Sequence, residues 1–351
     1  MTFRLGLSRD VLDAAGEPSF GREALSVLDA NPNLQWEFIP EDIREVTPEI
    51  AARYDGLYVN SPKVTRGSVA RSDCRLRIVA RHGVGYDSVD VGALTERGIL
   101  LTNTPDAVRR PMAISALTLI FALSGRLLMK DRLVRENRWN ERTSHMGVGL
   151  TTRTLGIIGA GGIGQELLGL ARPFFGKMLA ADPFVDSALV RGLGADVVPL
   201  DVLVSQADFV VVCCLLNEKT YHLIDAERLK RMKPTSFLIN VARGPVVDEA
   251  ALIAALSNGD IAGCGLDVFE EEPIASGNPL TRMENVVLTP HALGWTDECF
   301  HDIAATGLQS VVDVSLGRVP AFVVNPQVFQ AAFEGRRDSG KKRSQGSFPP
   351  R

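Results

Sequence analysis

The segment Thr154–Ala171, TLGIIGAGGIGQELLGLA, constrains the fold more than any other part of this chain. It holds the spacing G-x-G-x-x-G at Gly159, Gly161 and Gly164. A short apolar run, Leu155–Ile158, precedes the glycines and reads as a strand, and Gln165–Arg172 follows as a helix. The next apolar run leads to Asp182, 18 residues after Gly164. Strand, glycine turn, helix, then strand with a terminal acid is the order in which a βαβ unit grips a dinucleotide. Gly159 makes the tight turn, Gly161 lets the backbone approach a pyrophosphate, and Gly164 lets helix and strand pack closely. The helix N-terminus adds N–H groups and a partial positive charge. Asp182 is placed to accept the ribose hydroxyls. A 2′-phosphate there meets like charge, and Asp182-Pro183-Phe184 offers no Lys or Arg. The residues therefore favour NAD over NADP.

The alternation of short apolar runs with helical patterns continues on both sides. Downstream, strands are expected at Leu155–Ile158, Met178–Ala181, Asp196–Val198, Phe209–Leu215, Phe237–Asn240, Gly263–Val268 and Val286–Leu288. Upstream, they are expected at Phe3–Leu7, Trp36–Ile39, Leu57–Asn60, Arg77–Ala80 and Ile99–Leu101. Both sets predict parallel sheets with crossover helices, so the fold class is α/β with two doubly wound domains. From about Met112 to Arg135 the pattern is apolar on nearly every side. It predicts one long helix, buried all round at a domain boundary. A further helix is expected over Glu298–Ser315.

Charge and cysteines narrow the partners. The net charge is −4, but Arg336–Arg351 carries six basic side chains and one acid. The rest of the chain is therefore near −9. Such a body repels a phosphate backbone, which excludes nucleic acid as the main partner. The tail, residues 331–351, lacks apolar periodicity and is expected to be disordered. Five cysteines, an odd number with no C-x-x-C pair, argue against a disulfide framework or a thiolate zinc site. No histidine shows metal-ligand spacing, so no metal is expected. The N-terminus has no apolar signal core, and the apolar stretch Ala113–Leu123 is short for a bilayer. A cytoplasmic protein without membrane contact is the expectation.

Three segments of the second half carry chemistry. INVARGPVVDEAAL holds Arg243, GLDVFEEEP holds Glu272, and VVLTPHALGW holds His291. Each follows an expected strand at its carboxyl end, where open α/β sheets bind ligands. The three residue types suit a 2-oxo acid. Arg243 can bind a carboxylate bidentately and polarise a ketone. His291 can pass a proton to the ketone oxygen, and Glu272 can hold the imidazole in one orientation.

Together, HGVGYDSVDV, LTNTPDAV, TLGIIGAGGIG, MKPTSFLINVARGPVVDEAAL, GCGLDVFEEEP and VVLTPHALG resemble the D-isomer-specific 2-hydroxyacid dehydrogenases. That family includes phosphoglycerate dehydrogenase and glyoxylate/hydroxypyruvate reductase. The resemblance runs from about Leu57 to about Val324. It implies that Arg243, Glu272 and His291 are the catalytic set, with Glu272 chosen among three adjacent acids because it directly precedes Pro273. It implies that Gly162 and Ile163 belong to the pyrophosphate turn, that Val241 and Ala242 line the nicotinamide, and that Asp267 holds the carboxamide. Pro183, Leu215, Thr220 and Gly294 complete the implied cofactor surround. For substrate it implies the backbone of Val84 and Gly85, with Asn60 and Lys63 nearby. His82, Tyr86 and Trp295 join Asn60–Lys63 around the substrate's side chain.

The resemblance also implies a flavodoxin-like substrate domain, residues 1–103 plus 297–330, into which a Rossmann coenzyme domain, 104–296, is inserted. Homodimers through the coenzyme domain are implied too. Two departures stand out. Where many relatives read Ala-Glu, this chain has Ala113-Ile114, preceded by Arg109-Arg110-Pro111. After the third strand, Asn60-Ser61-Pro62-Lys63 lacks the Arg that phosphate-handling members place there. The expected activity is hydride transfer between NAD and C2 of a small D-2-hydroxy acid. The alternatives are an NAD-sensing, corepressor-like interaction protein, or a relative acting on phosphite or formate.

Overall fold

The computed structural model describes residues 2–329. The expected basic tail lies outside them. The chain divides into two compact units, Arg109–Trp295, and Met1–Val108 together with the segment from Thr296 onward.

The second unit is built on seven parallel strands: β6 Thr154–Ile158, β7 Lys177–Ala181, β8 Asp196–Val197, β9 Phe209–Val212, β10 Phe237–Asn240, β11 Gly263–Leu266 and β12 Val286–Leu288. Their order across the sheet is β12-β11-β10-β9-β6-β7-β8. The chain thus starts in the middle, runs outward through β7 and β8, then restarts at β9 on the other side of β6. That reversal is the topological switch point of a dinucleotide-binding sheet. Side chains alternate as the pleat demands. Phe209 and Val211 join one core with Leu155 and Ile157, while Val210 and Val212 join the opposite core with Leu238. Both faces are covered at the centre of the sheet, which is why Phe209–Val212 reads as an unbroken apolar run.

The first unit has five parallel strands: β1 Phe3–Leu7, β2 Leu34–Phe38, β3 Gly56–Val59, β4 Ile78–Arg81 and β5 Leu100–Thr102. The order β2-β1-β3-β4-β5 is the flavodoxin-like one. The helix Asp297–Ser315 returns to this unit and covers one face. Its Phe300, Ala304, Leu308 and Val311 share a core with Leu5, Tyr58 and Ile78. Gly307 lets it sit close: a Cβ there would lie 2.6 Å from the Tyr58 ring.

The expected helix Met112–Arg135 is in fact two. Pro105–Gly125 and Leu127–Arg135 are separated by Arg126, whose φ of 49° breaks the helical path. The division between the units falls inside the first of them, between Val108 and Arg109. Its entry is tied to the first unit by Thr104, whose N–H donates to the Gly83 carbonyl. The helix is not buried all round. Ala113, Ala116, Leu119 and Ile120 are packed in the core, but Ile114 and Phe121 are 49% and 40% exposed. By length and composition it could cross a membrane; here half of it is buried as a core helix. Leu119 and Leu123 press on β11 at Gly265, where a Cβ would lie 3.0 Å from Leu119 Cβ.

Candidate active site

The glycine turn is assembled at the switch point. Gly159 follows β6 with φ 92°, a conformation that L side chains rarely adopt, and its added Cβ would lie 2.7 Å from the Cys214 backbone. The helix Gly162–Ala171 then begins. Its N-cap, Gly161, supplies no side-chain cap, so the first-turn N–H groups are left for an external acceptor. A Cβ on Gly164 would lie 2.2 Å from the Gly159 carbonyl oxygen, so helix and turn close to a distance no other residue permits. Asp182, after β7, accepts the Ala160 N–H at 2.8 Å on Oδ2 and the Phe184 N–H at 2.8 Å on Oδ1. It therefore holds the turn as well as facing it, and each oxygen keeps a further lone pair for a hydroxyl donor. The backbone cradle, the uncapped helix and the acid together fit a dinucleotide.

The loop after β9 carries Leu215 and Thr220. Thr220 Oγ1 donates to the Leu215 carbonyl at 2.6 Å and accepts the Asn217 N–H at 2.7 Å, fixing the loop. Leu215 remains 64% exposed, and Phe184, next to Pro183, is 90% exposed. Val241 is buried after β10 and Ala242 is half-buried. Gly294 abuts Met112, whose Sδ would lie 2.6 Å from an added Cβ.

Arg243, Glu272 and His291 come together through close backbone approach. Gly244 is the contact point: its Cβ would fall 1.9 Å from the carbonyl carbon and oxygen of Phe269. Only a residue without a side chain lets the loop after β10 touch the loop after β11. The Arg243 charge then reaches Glu272. Glu272 Oε1 accepts the Phe269 N–H at 3.0 Å, and Oε2 lies 2.8 Å from His291 Nδ1. Desolvation raises the Glu272 carboxyl. The hydrogen bonds from His291 and Phe269 and the charges of His291 and Arg243 outweigh it, holding the group below its ordinary value. Arg243 Nη1 donates to the Ala242 carbonyl at 2.7 Å, and Asn240 Nδ2 donates to the Arg243 carbonyl at 2.9 Å.

His291 has a φ of 52°, in the left-handed region. This conformation costs a non-glycine residue about 1–2 kcal/mol. Asp267 sustains it. This buried carboxylate, 1% exposed, takes three donors on Oδ1: Thr289 Oγ1 at 2.7 Å, Ala292 N–H at 3.1 Å and Leu293 N–H at 3.2 Å. The residue that the resemblance assigns to the carboxamide thus also builds the His291 turn.

A second set of contacts braces the Glu272 loop. His222 Nε2 lies 2.6 Å from Glu270 Oε1, and its Nδ1 faces Asp248 Oδ2 at 3.8 Å. Among the described residues these three are the group whose ligand atoms could reach a common metal ion. The two ring nitrogens face different carboxylates, which is the geometry of a bridging histidine. Sequence spacing gave no sign of it, because Asp248 and Glu270 come from separate loops.

In the first unit, the loop Gly83-Val84-Gly85 has its carbonyls tied. Thr104 N–H donates to Gly83 at 3.1 Å, Asn103 Nδ2 to Val84 at 2.9 Å and Arg81 Nε to Gly85 at 2.9 Å. The loop's N–H groups are its remaining polar resource. His82 is buried against Tyr58 and Phe300, with Nδ1 2.5 Å from the Tyr58 hydroxyl. Burial, then the Arg81 charge, pulls its imidazole down to about 3, so it is neutral at physiological pH. Asn60 donates its N–H to Ser8 Oγ at 3.3 Å. Lys63 pairs its backbone with Arg44 and Val46, and its side chain is exposed.

Residues 117–292 match the family described as D-isomer specific 2-hydroxyacid dehydrogenase, NAD binding domain. The chain is 42% identical over 257 residues to the glyoxylate reductase of Korarchaeum cryptofilum, covering 72% of this chain and 77% of that one. It is 38% identical to the glyoxylate reductase of Thermococcus onnurineus, covering 86% and 91%. The chain belongs to the D-isomer-specific 2-hydroxyacid dehydrogenases. Among solved members, D-lactate dehydrogenase from Aquifex aeolicus, complexed with NAD and lactic acid, has a TM-score of 0.78 at 26% identity, covering 92% of this chain and 99% of that one.

Proposed function

We propose that this dehydrogenase reduces a small 2-oxo acid of the glyoxylate class with NADH, giving the D-isomer where C2 becomes chiral. The observation that carries the proposal is the 2.8 Å hydrogen bond between His291 Nδ1 and Glu272, beside Arg243, at the strand ends of the dinucleotide-binding sheet. The bound dinucleotide supplies the hydride to C2. Arg243 takes the substrate's carboxylate as a planar fork and draws electron density from the ketone. Glu272 engages Nδ1, which leaves Nε2 to carry the proton to the ketone oxygen. In the reverse direction Nε2 removes it. Asp267 and Ala242 border the nicotinamide, Asp182 receives the ribose, and the N–H groups of Val84 and Gly85 receive an anion.

The test is NADH oxidation against glyoxylate, hydroxypyruvate, pyruvate, 2-oxoglutarate and branched 2-oxo acids. At least one acid is expected to reach a kcat/KM of about 10⁴ M⁻¹s⁻¹ or more. Glyoxylate or hydroxypyruvate should rank first, and NADPH should serve worse than NADH. Tight NADH binding without turnover on any acid would overturn the proposal, and a preference for NADPH would overturn the role of Asp182.

The protein is proposed to act as a homodimer through the coenzyme domain. Phe121, Leu128, Val134, Trp139 and Met146 leave large apolar side chains exposed there, Trp139 by 59% and Met146 by 73%. Large apolar side chains left exposed in one domain suit an interface between copies. Light scattering is expected to give twice the chain mass of 38.0 kDa, and Trp139→Glu is expected to shift it toward one chain. A monomeric parent would remove the dimer.

A further inference from the structure

We propose that Arg109 is a cofactor-binding residue, bringing its charge to the dinucleotide's pyrophosphate across the surface that Gly162 leaves bare. The inference rests on the dinucleotide-binding role of the glycine turn. Gly162 is the first residue of the helix Gly162–Ala171. A Cβ built on it would lie 2.6 Å from Arg109 Nε, 3.1 Å from Cδ and 3.3 Å from Cγ. The stem and the guanidinium of Arg109 therefore both lie on the turn, in space that any other residue at 162 would fill. The adjoining Arg110 has Nη2 2.8 Å from Glu166 Oε1 on the same helix. That ion pair fixes residues 109–110 of the long helix against the start of the shorter one.

The electrostatics point the same way. A helix N-terminus carries partial positive charge and favours an anion. This helix has no acid in its first turn and no side-chain cap. A ligand with two adjacent phosphates at this terminus meets N–H donors and a planar cation together. An arginine from the preceding long helix thus completes a turn whose own residues, Gly161, Gly162 and Ile163, bring no charge.

Calorimetric titration of the full-length protein with NADH, ADP-ribose and adenosine tests this. ADP-ribose keeps the pyrophosphate without the nicotinamide, and adenosine lacks both. Arg109→Gln and Arg109→Ala are each expected to raise the dissociation constants for NADH and ADP-ribose about tenfold to a hundredfold, as loss of a charge-assisted contact does. Adenosine binding should be unchanged. Gly162→Ala should weaken ADP-ribose binding in the parent, by displacing Arg109, and add little in the Arg109→Ala background. Parent-like ADP-ribose affinity in both Arg109 variants would overturn the proposal, as would equal weakening of adenosine. Failure of the parent itself to bind NADH would instead strike at the dinucleotide reading of the turn.

Discussion

Replacing His291 with Ala is expected to lower kcat for 2-oxo acid reduction by about 10² or more, with the NADH dissociation constant unchanged. A positioned acid–base group contributes on that scale. The imidazole meets the requirement of position. Its Nδ1 is held 2.8 Å from Glu272 Oε2, and its backbone is held at a φ of 52° by a turn fastened to buried Asp267. The strained conformation persists because Asp267 takes three donors from the segment around it. Stopped-flow reduction, with NADH affinity measured separately, distinguishes loss of proton transfer from loss of cofactor. Normal turnover in His291→Ala would remove the histidine from the chemistry. The pair has a pH limit of known sign. Because the Glu272 carboxyl is lowered, the orientation it supplies is fully present above its ordinary value of 4.5. It fades only as pH falls through the lower folded value.

Gly244→Ala is expected to be the most damaging single-methyl change in this part of the molecule. The added carbon would lie 1.9 Å from the Phe269 carbonyl and 2.4 Å from the Glu270 nitrogen. Both are backbone atoms, so no rotamer relieves the clash, and the two loops must separate. The separation costs about 2–4 kcal/mol. That is roughly 5–15 °C in the unfolding midpoint of a unit of this size. It also draws Arg243 away from Glu272, so activity should fall further than stability alone accounts for. Gly161→Ala is the control, because an added Cβ there meets nothing within 4 Å and its φ is −72°. Without cofactor its midpoint should match the parent. An undisturbed midpoint and kcat in Gly244→Ala would mean that the approach of the two loops is not what unites the site.

Much of this was legible before any coordinates. The strands at Phe3–Leu7, Phe237–Asn240 and Val286–Leu288 have the expected bounds; for Phe237–Asn240 burial on both faces leaves a largely apolar signal. Glu272 and His291 could be paired because the chemistry of a 2-oxo acid asks for both. Other features have no local signature. Nothing near Arg126 announces a left-handed residue, so one apolar pattern concealed two helices. The same pattern concealed the bare flank of Ile114 and Phe121, since apolar composition does not tell which side is covered. Gly244 has no local signature, and from the resemblance Asp267 reads as a ligand-facing acid. Their roles in joining the loops are set by residues distant in sequence, 269 in one case and 289–293 in the other.

The return of the helix Asp297–Ser315 to the N-terminal unit has a consequence for biosynthesis. The segment Met1–Val108 leaves the ribosome first, yet one face of its sheet is only partly covered, by Phe20, Ala24, Leu25 and Leu28, until Phe300, Ala304, Leu308 and Val311 emerge. The whole of Arg109–Trp295 is translated in between, as an uninterrupted stretch with its own cores. The later-made unit can therefore complete its fold first, while the earlier-made one waits with the core around Leu5, Tyr58 and Ile78 incomplete. In a nascent chain stalled before residue 296, protease should spare the Rossmann unit and cut the older one.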